Sequence, residues 1–243
     1  MNALDALSPE DIARRLESPE ARVKLIRAGA EAGVAEAQAV YGQMLLDGVG
    51  VVRDPIAAFI WFRQAAQAGH LMGLNMLGRC YDLGWGVAID KGRAAECFRV
   101  AAERGLDWGM YNYATALTLG DGVAEDKPAA LAWFEKAATL GNAKAINYVG
   151  SFHEDGWVVA QDMAIAADCY ARAAEGGDFR GMFNHARMLA LASETDTALE
   201  WLARCGAVAT PAFRDKAAAW LKRVADARLR NEGPAALWRN APC

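Results

Sequence analysis

The fold is decided by one stretch, Gly69–Gly105, which reads GHLMGLNMLGRCYDLGWGVAIDKGRAAECFRVAAERG. Its key residues return every 36 positions along the chain. The recurring columns are Gly48, Gly84, Gly120 and Gly156; Asp54, Asp90, Asp126 and Asp162; Ala58, Ala94, Ala130 and Ala166; Phe62, Phe98, Phe134 and Tyr170; the alanine pairs that begin at Ala65, Ala101, Ala137 and Ala173; and Gly69, Gly105, Gly141 and Gly177. A constant period of this length indicates an array of repeats.

Each repeat is predicted to contain two helices joined by a turn. The first helix of the second copy should run from about Met72 to Leu83, because its apolar residues fall on one helical face. Gly84 then supplies the left-handed residue that commonly ends a helix. Asp90 is a suitable N-cap for a second helix, from about Lys91 to Arg104. The repeat is therefore a helical hairpin.

Small residues recur where two helices of such a hairpin would touch. The middle of the first helix carries Gly42, Gly78, Ala114 or Gly150 in the successive copies. A glycine inside a helix costs up to about 1 kcal/mol relative to alanine, so we expect it to permit a close approach of the neighbouring helix. One hairpin cannot bury its apolar face alone, and the copies must stack.

The pattern A-x4-G-x2-[YLF]-x3-G-x-G-V-x2-D-x3-A-x2-W-F-x2-A-A-x2-G resembles the Sel1-like repeat, a relative of the tetratricopeptide repeat. Ala37 to Gly69 matches it at almost every position, and the copies that start at Gly73, Gly109 and Ala145 match well. The fourth copy departs from the pattern in its loop, at Trp157-Val158. The resemblance implies an all-α fold, a right-handed α-solenoid of stacked antiparallel helix pairs.

The expected organisation has four parts. Residues 1–33 form N-terminal capping helices, among them a short helix from about Pro9 to Glu17, and residues 34–177 form four full repeats. Residues 178–206 form a shortened fifth repeat, in which Ser193–Asp196 replaces the glycine loop. Residues 207–243 form a capping helix, from about Ala212 to Arg230, and a loosely docked tail.

Composition restricts the class of partner. The net charge of −4 provides no overall basic field for nucleic acid. No apolar run approaches the roughly 18 residues of a membrane helix, and the first residues lack a basic segment followed by an apolar one, which favours a cytoplasmic protein without a secretory signal. Five cysteines do not recur in pairs, so we expect free thiols.

The candidate binding surface is the face of the first helices that does not belong to the core columns. In tetratricopeptide-like stacks, these helices line the concave side. The side chains there differ from copy to copy, as expected if each meets a different part of a ligand. The predicted groove residues are Met72, Asn75, Arg79, Trp108, Tyr111, Lys144, Asn147, Arg180, Phe183 and Arg187. The asparagines could bind a peptide backbone, the arginines could bind carboxylates, and the aromatic residues could anchor an interface.

The resemblance implies a non-catalytic adaptor that binds a protein or peptide, in bacterial signalling or complex assembly. The alternative is a hydrolase, because some secreted relatives carry a β-lactamase designation. We expect no catalytic residues, cofactor or metal: His70 follows a turn, His153 and His185 occupy core columns, and the sequence has no nucleophile elbow or phosphate loop. A third hypothesis is self-association through the ends of the stack.

Overall fold

The structure is a computed structural model and describes residues 18–241. This part of the chain contains thirteen α-helices and no strand. The helices are α1 Pro19–Glu31, α2 Ala35–Asp47, α3 Pro55–Gln67, α4 Leu71–Leu83, α5 Lys91–Glu103, α6 Asp107–Leu119, α7 Lys127–Thr139, α8 Ala143–Asp155, α9 Met163–Glu175, α10 Phe179–Leu191, α11 Thr195–Val208, α12 Pro211–Leu221 and α13 Ala227–Arg239. The prediction of an all-α fold is confirmed, whereas the helix predicted from Pro9 to Glu17 lies outside the described residues.

The chain divides into two compact units. Unit 1 ends at Asp126 and unit 2 begins at Lys127. Within each unit, helices that follow one another along the repeats pack together as hairpins. We call α2, α4, α6, α8 and α10 the A-helices and the helices that follow them the B-helices.

Glycine and aspartate set the limits of these helices as the sequence predicts. Gly84 ends α4 with a φ of 74°, a left-handed conformation. The Asp54 carboxylate accepts hydrogen bonds from the backbone N–H groups of Ile56 and Ala57, and so caps α3. Asp90 caps α5 in the same way. Capping satisfies amide groups that have no partner within the helix.

Small residues bring the two helices of a hairpin close together. A Cβ atom added to Gly78 of α4 would lie 2.7 Å from the Phe98 ring of α5, and one added to Gly150 of α8 would lie 2.8 Å from the Tyr170 ring of α9. Distances under 3 Å are too short for a real Cβ contact. Both rings are fully buried or nearly so. The glycines therefore permit the packing that buries the aromatic column, as expected.

The end of unit 2 differs from the prediction. The single helix expected from Ala212 to Arg230 is two helices, α12 and α13, which are separated at residues 222–226. The expected loose tail belongs to α13, where Leu237 has no exposed surface. The Leu237 carbonyl oxygen lies only 1.9 Å from the position that a Cβ atom on Gly206 would occupy. The segment is thus part of the core of unit 2.

Candidate functional site

Two asparagines of the predicted groove, Asn75 and Asn147, pack against the next A-helix of their own unit. Asn75 is 2% exposed, and its side-chain oxygen accepts a hydrogen bond of 2.8 Å from the Asn112 amide of α6. In unit 2, Asn184 of α10 donates to Asn147 of α8 at 2.9 Å. The expectation that Asn75 and Asn147 face an open groove was therefore wrong, because a buried amide needs a partner and these amides pair across helices.

A sequence signal for these pairs existed. Asn112 follows Asn75 by 37 positions, and Asn184 follows Asn147 by the same interval. This interval is one repeat plus one residue, which places the two members on the facing sides of successive A-helices. Columns at a strict period of 36 contain only equivalent positions, so they do not show this pairing.

One stripe on the A-helices of unit 1 stays partly open to solvent. Met72, Arg79 and Leu83 on α4 follow one another at i, i+7 and i+11, a spacing that holds residues on one helical face. Trp108, Thr115 and Leu119 occupy the same positions on α6. We call these six residues the unit 1 stripe. Trp108 is 38% exposed, Leu83 is 45% exposed and Leu119 is 63% exposed.

Only part of this stripe is predicted from the sequence. Met72, Arg79 and Trp108 are among the predicted groove residues, whereas Leu83 and Leu119 are not. Leucine at the last position of a helix looks like an ordinary core residue in the sequence. Its exposure follows from the position of the neighbouring helices.

Two aromatic side chains, those of Tyr111 and Trp85, contact the stripe from its sides. The Tyr111 ring packs edge-to-face against Trp108, with ring centroids 6.0 Å apart. The Arg79 guanidinium lies 4.7 Å from the centre of the Trp85 ring. Arg79 and Trp85 also line an open cleft of about 390 Å³ whose other residues are Gln43, Leu46, Asp47 and Arg53. The stripe therefore has a rigid aromatic part and a polar edge.

The predicted residues of unit 2 fall into a different environment. Phe183 is only 9% exposed and packs edge-to-face on Phe213 and Trp220 of α12. The prediction that Phe183 lies on the groove surface was wrong, because α12 covers the Phe183 ring. Arg180 is exposed, and Lys144 is partly exposed with its Nζ atom 3.8 Å from Asp178 Oδ1.

Arg187 takes part in a network that joins three helices. It donates to Glu154 Oε1 at 2.5 Å and to Asn184 Oδ1 at 3.0 Å. The Tyr170 hydroxyl donates to Glu154 Oε2 at 2.6 Å. Burial acts to raise the pKa of Glu154, but the hydrogen bonds from Arg187 and Tyr170 outweigh it and hold the pKa below its usual range. Glu154 therefore stays ionised and fixes the position of Arg187.

The histidines are distributed rather than gathered at one site. His70 caps α4 by accepting from the Gly73 amide, and its Nε2 lies 2.7 Å from Glu36. His185 packs against the Trp201 ring, and burial lowers the pKa of its imidazole. His153 is partly buried on α8. Within residues 18–241, no group of three or more His, Cys, Asp and Glu side chains is arranged to hold a metal ion.

The described cysteines are free thiols, as the sequence predicts. Cys80, Cys97, Cys169 and Cys205 form no disulfide. Burial raises the pKa of Cys80 and of Cys205 to about 12. Across the described residues, none of the helices has the length and apolar character that crossing a membrane requires.

Solved structures support the assignment of the fold. A protective antigen of uropathogenic Escherichia coli with the same repeat fold is 27% identical, with a TM-score of 0.68 over 93% of this chain and 51% of the antigen. The chain thus spans about half the length of that antigen. A Sel1 repeat protein from Oxalobacter formigenes is 25% identical, with a TM-score of 0.69 over 84% of this chain and 86% of that one.

A more distant structural match agrees in fold alone. It is an immunity protein from Pseudomonas aeruginosa, 20% identical, with a TM-score of 0.57 over 86% of this chain and 76% of that protein. A comparison with curated proteins gave no match.

The profile of the Sel1 repeat matches residues 35–70, 71–106, 109–142 and 143–178. Proteins with this fold generally serve as scaffolds that bind other proteins, and they are typically non-catalytic. Since the matched repeats make up more than half of the sequence, the chain belongs to the Sel1 repeat family.

Proposed function

We propose that this protein is a non-catalytic scaffold that binds a segment of a partner protein on the unit 1 stripe. The observation that carries the proposal is the exposure of Leu83, Trp108 and Leu119 on adjacent A-helices. The Asn75–Asn112 hydrogen bond joins these two helices, so the three apolar side chains belong to one supported surface. Apolar patches of this kind, with polar groups at the edge, are typical of interaction sites.

Trp108 is the expected anchor of the interface. Its contact with Tyr111 restricts the indole before a partner arrives, so little side-chain entropy is lost on binding. Tryptophan and arginine are enriched among residues that dominate binding energies. Arg79, held on the Trp85 ring, supplies hydrogen-bond donors beside the apolar residues.

The test compares two double variants of the full chain. Trp108→Ser with Leu119→Ser removes the apolar part of the stripe, and we expect partners captured from cell extract to fall by about tenfold or more. Val52→Ser with Ile56→Ser is the matched control, because these residues are 88% and 64% exposed on unit 1 but belong to the loop before α3 and to α3 itself, whereas the stripe lies on A-helices. Quantitative mass spectrometry measures the captured proteins, and circular dichroism checks the helix content.

Equal capture of partner proteins by both double variants would contradict the proposal.

The two other hypotheses, a hydrolase and self-association, are tested separately. Hydrolysis of nitrocefin by the purified protein would favour the hydrolase, and a concentration-dependent mass in light scattering would favour self-association. We expect neither result for the wild-type chain.

A further inference from the structure

Unit 2 carries a cluster of cations and aromatic rings that is separate from the unit 1 stripe. It is formed by Phe179, Arg180 and Arg187 of α10 with Phe213 and Trp220 of α12, and we call it the arginine–aromatic cluster. Phe179 and Phe213 pack edge-to-face, with ring centroids 4.8 Å apart. Phe183 lies beneath both Phe213 and Trp220. The rings thus form a continuous aromatic surface between the two helices.

Three cationic side chains lie over the rings of this aromatic surface. The Arg180 guanidinium is 4.7 Å from the Phe179 centroid and 5.9 Å from the Phe213 centroid. Lys144 lies 5.5 Å from the same Phe179 ring, and Arg187 lies 5.3 Å from the Trp220 ring. Lys216 is exposed and follows Phe213 by three positions on α12, which places it on the same side of that helix.

The carboxylates nearby do not use the donors of Arg180. Glu154 is bound to Arg187 and Tyr170. Asp178 is buried, and its Oδ2 accepts from the Gly181 amide to cap α10. Arg180 donates no side-chain hydrogen bond to any residue that the structure describes. A guanidinium that lies over a ring keeps the N–H groups at its edge available for a carboxylate.

We propose that the arginine–aromatic cluster binds an acidic segment of a partner protein, with an Asp or Glu carboxylate of that segment on Arg180. Apolar side chains of the segment contact the partly exposed Trp220, and Lys144 and Lys216 attract further acidic residues. Charge complementarity favours this occupant, because cations gather here although the whole chain carries a net charge of −4. The proposal does not depend on the unit 1 stripe.

The same cluster is less suited to nucleic acid. A polyanion needs a broad basic surface, because neutralising each phosphate requires its own cation. Here Glu154 and Asp178 add two carboxylates beneath a small number of cations. A protein segment with a few carboxylates and adjacent apolar residues fits this small excess of positive charge beside aromatic rings.

The test uses a blocked synthetic peptide of Glu, Ser and Leu, and its counterpart in which Gln replaces every Glu. Fluorescence anisotropy with the full chain measures both dissociation constants at low and at physiological salt. We expect the Glu peptide to bind about tenfold more tightly than the Gln peptide, because charge-assisted hydrogen bonds are the stronger ones. The preference should decrease as salt is added.

Arg180→Gln should weaken binding of the Glu peptide by about tenfold and leave the Gln peptide unchanged. Arg172→Gln is the matched control, because Arg172 is also an exposed arginine of unit 2 but pairs with Asp168 on α9. Circular dichroism confirms that both variants keep their helices. Lys216→Gln should weaken the Glu peptide by a smaller factor, about threefold.

Three results would overturn the proposal. The first is equal affinity for the Glu and Gln peptides. The second is an equal effect of Arg180→Gln and Arg172→Gln. The third is tighter binding of a single-stranded oligothymidylate than of the Glu peptide, which would indicate a nucleic-acid site. Loss of the unit 1 stripe leaves each of these results unchanged, so the two proposals fail independently.

Discussion

The second position of each connecting loop has a positive φ in all four repeats, although the fourth repeat has no glycine there. Gly50, Gly86 and Gly122 have φ values of 72°, 71° and 72°. A Cβ atom on Gly86 would lie 2.1 Å from the carbonyl oxygen of Pro55. In the fourth copy Val158 occupies the same position with a φ of 56°. The backbone conformation is thus kept even where the residue does not favour it.

Val158→Gly should therefore stabilise unit 2. A β-branched residue in the left-handed region costs about 1–3 kcal/mol, whereas the added freedom of glycine in the unfolded chain costs about 0.5–1 kcal/mol. The net gain in the free energy of unfolding should be about 1 kcal/mol. Urea denaturation followed by circular dichroism measures it. The control is Val159→Gly, since Val159 has no positive φ and should lose stability; a loss in both variants would contradict the interpretation.

At the scale of the element, the end of unit 2 depends on contacts that no local pattern shows. Gly233-Pro234 in the sequence suggests a break, yet both residues lie inside α13. A Cβ atom on Gly233 would lie 3.3 Å from the side chains of Leu202 and Leu221. This packing outweighs the weak helix propensity of the pair. The single helix predicted from Ala212 to Arg230 is instead interrupted at residues 222–226, and this break ends at the N-cap Asp226.

Arg214 of α12 makes buried polar contacts at this end of unit 2. It is 3% exposed, and it donates to the carbonyl oxygens of Gly206 and Ala209 at the end of α11. Its guanidinium lies 4.8 Å from the centre of the Trp238 ring of α13. One side chain therefore joins three helices, and its positive charge faces the negative end of the α11 dipole.

Arg214→Ala should lower the free energy of unfolding by about 2–4 kcal/mol, because it leaves buried carbonyls unpaired and removes the contact with Trp238. Arg230→Ala is the matched control. Arg230 also donates to two carbonyls, those of Val224 and Ala225, but it is exposed, so its loss should cost less than about 0.5 kcal/mol. Similar losses in the two variants, measured by urea denaturation, would show that burial is not the cause.

At the scale of the whole molecule, the buried thiols report the opening of each unit. Cys80 belongs to unit 1 and Cys205 to unit 2, and neither has exposed surface. Burial raises the pKa of both thiols to about 12, so little reactive thiolate forms near neutral pH.

Iodoacetamide should label Cys80 and Cys205 at least about a hundredfold more slowly in native buffer than in unfolding urea, because labelling needs an opening of the surrounding core. Peptide mass mapping measures the two sites separately. Arg214→Ala should speed the labelling of Cys205, since Arg214 binds the carbonyl of the adjacent Gly206. Rapid labelling of either thiol in the native wild-type chain would contradict the expected protection.

The sequence by itself determined the repeat, its helices and their ends. These features depend on local chemistry: glycine accepts a positive φ, aspartate caps a helix, and small residues recur at a fixed period. Within each repeat, backbone hydrogen bonds and short-range packing reproduce the same hairpin wherever the same residues return. The predicted ends of α4 and α5 agree with the structure to within one residue for this reason.

Only the tertiary structure decided which side chains of that repeated unit stay exposed. The sequence placed Asn75, Asn147 and Phe183 on an open surface, but neighbouring helices bury all three, while Leu83 and Leu119 remain in solvent. Exposure depends on what the adjacent repeat or the capping helix α12 places opposite a residue. That information lies in residues about one repeat away or beyond, so a pattern read within one copy does not contain it.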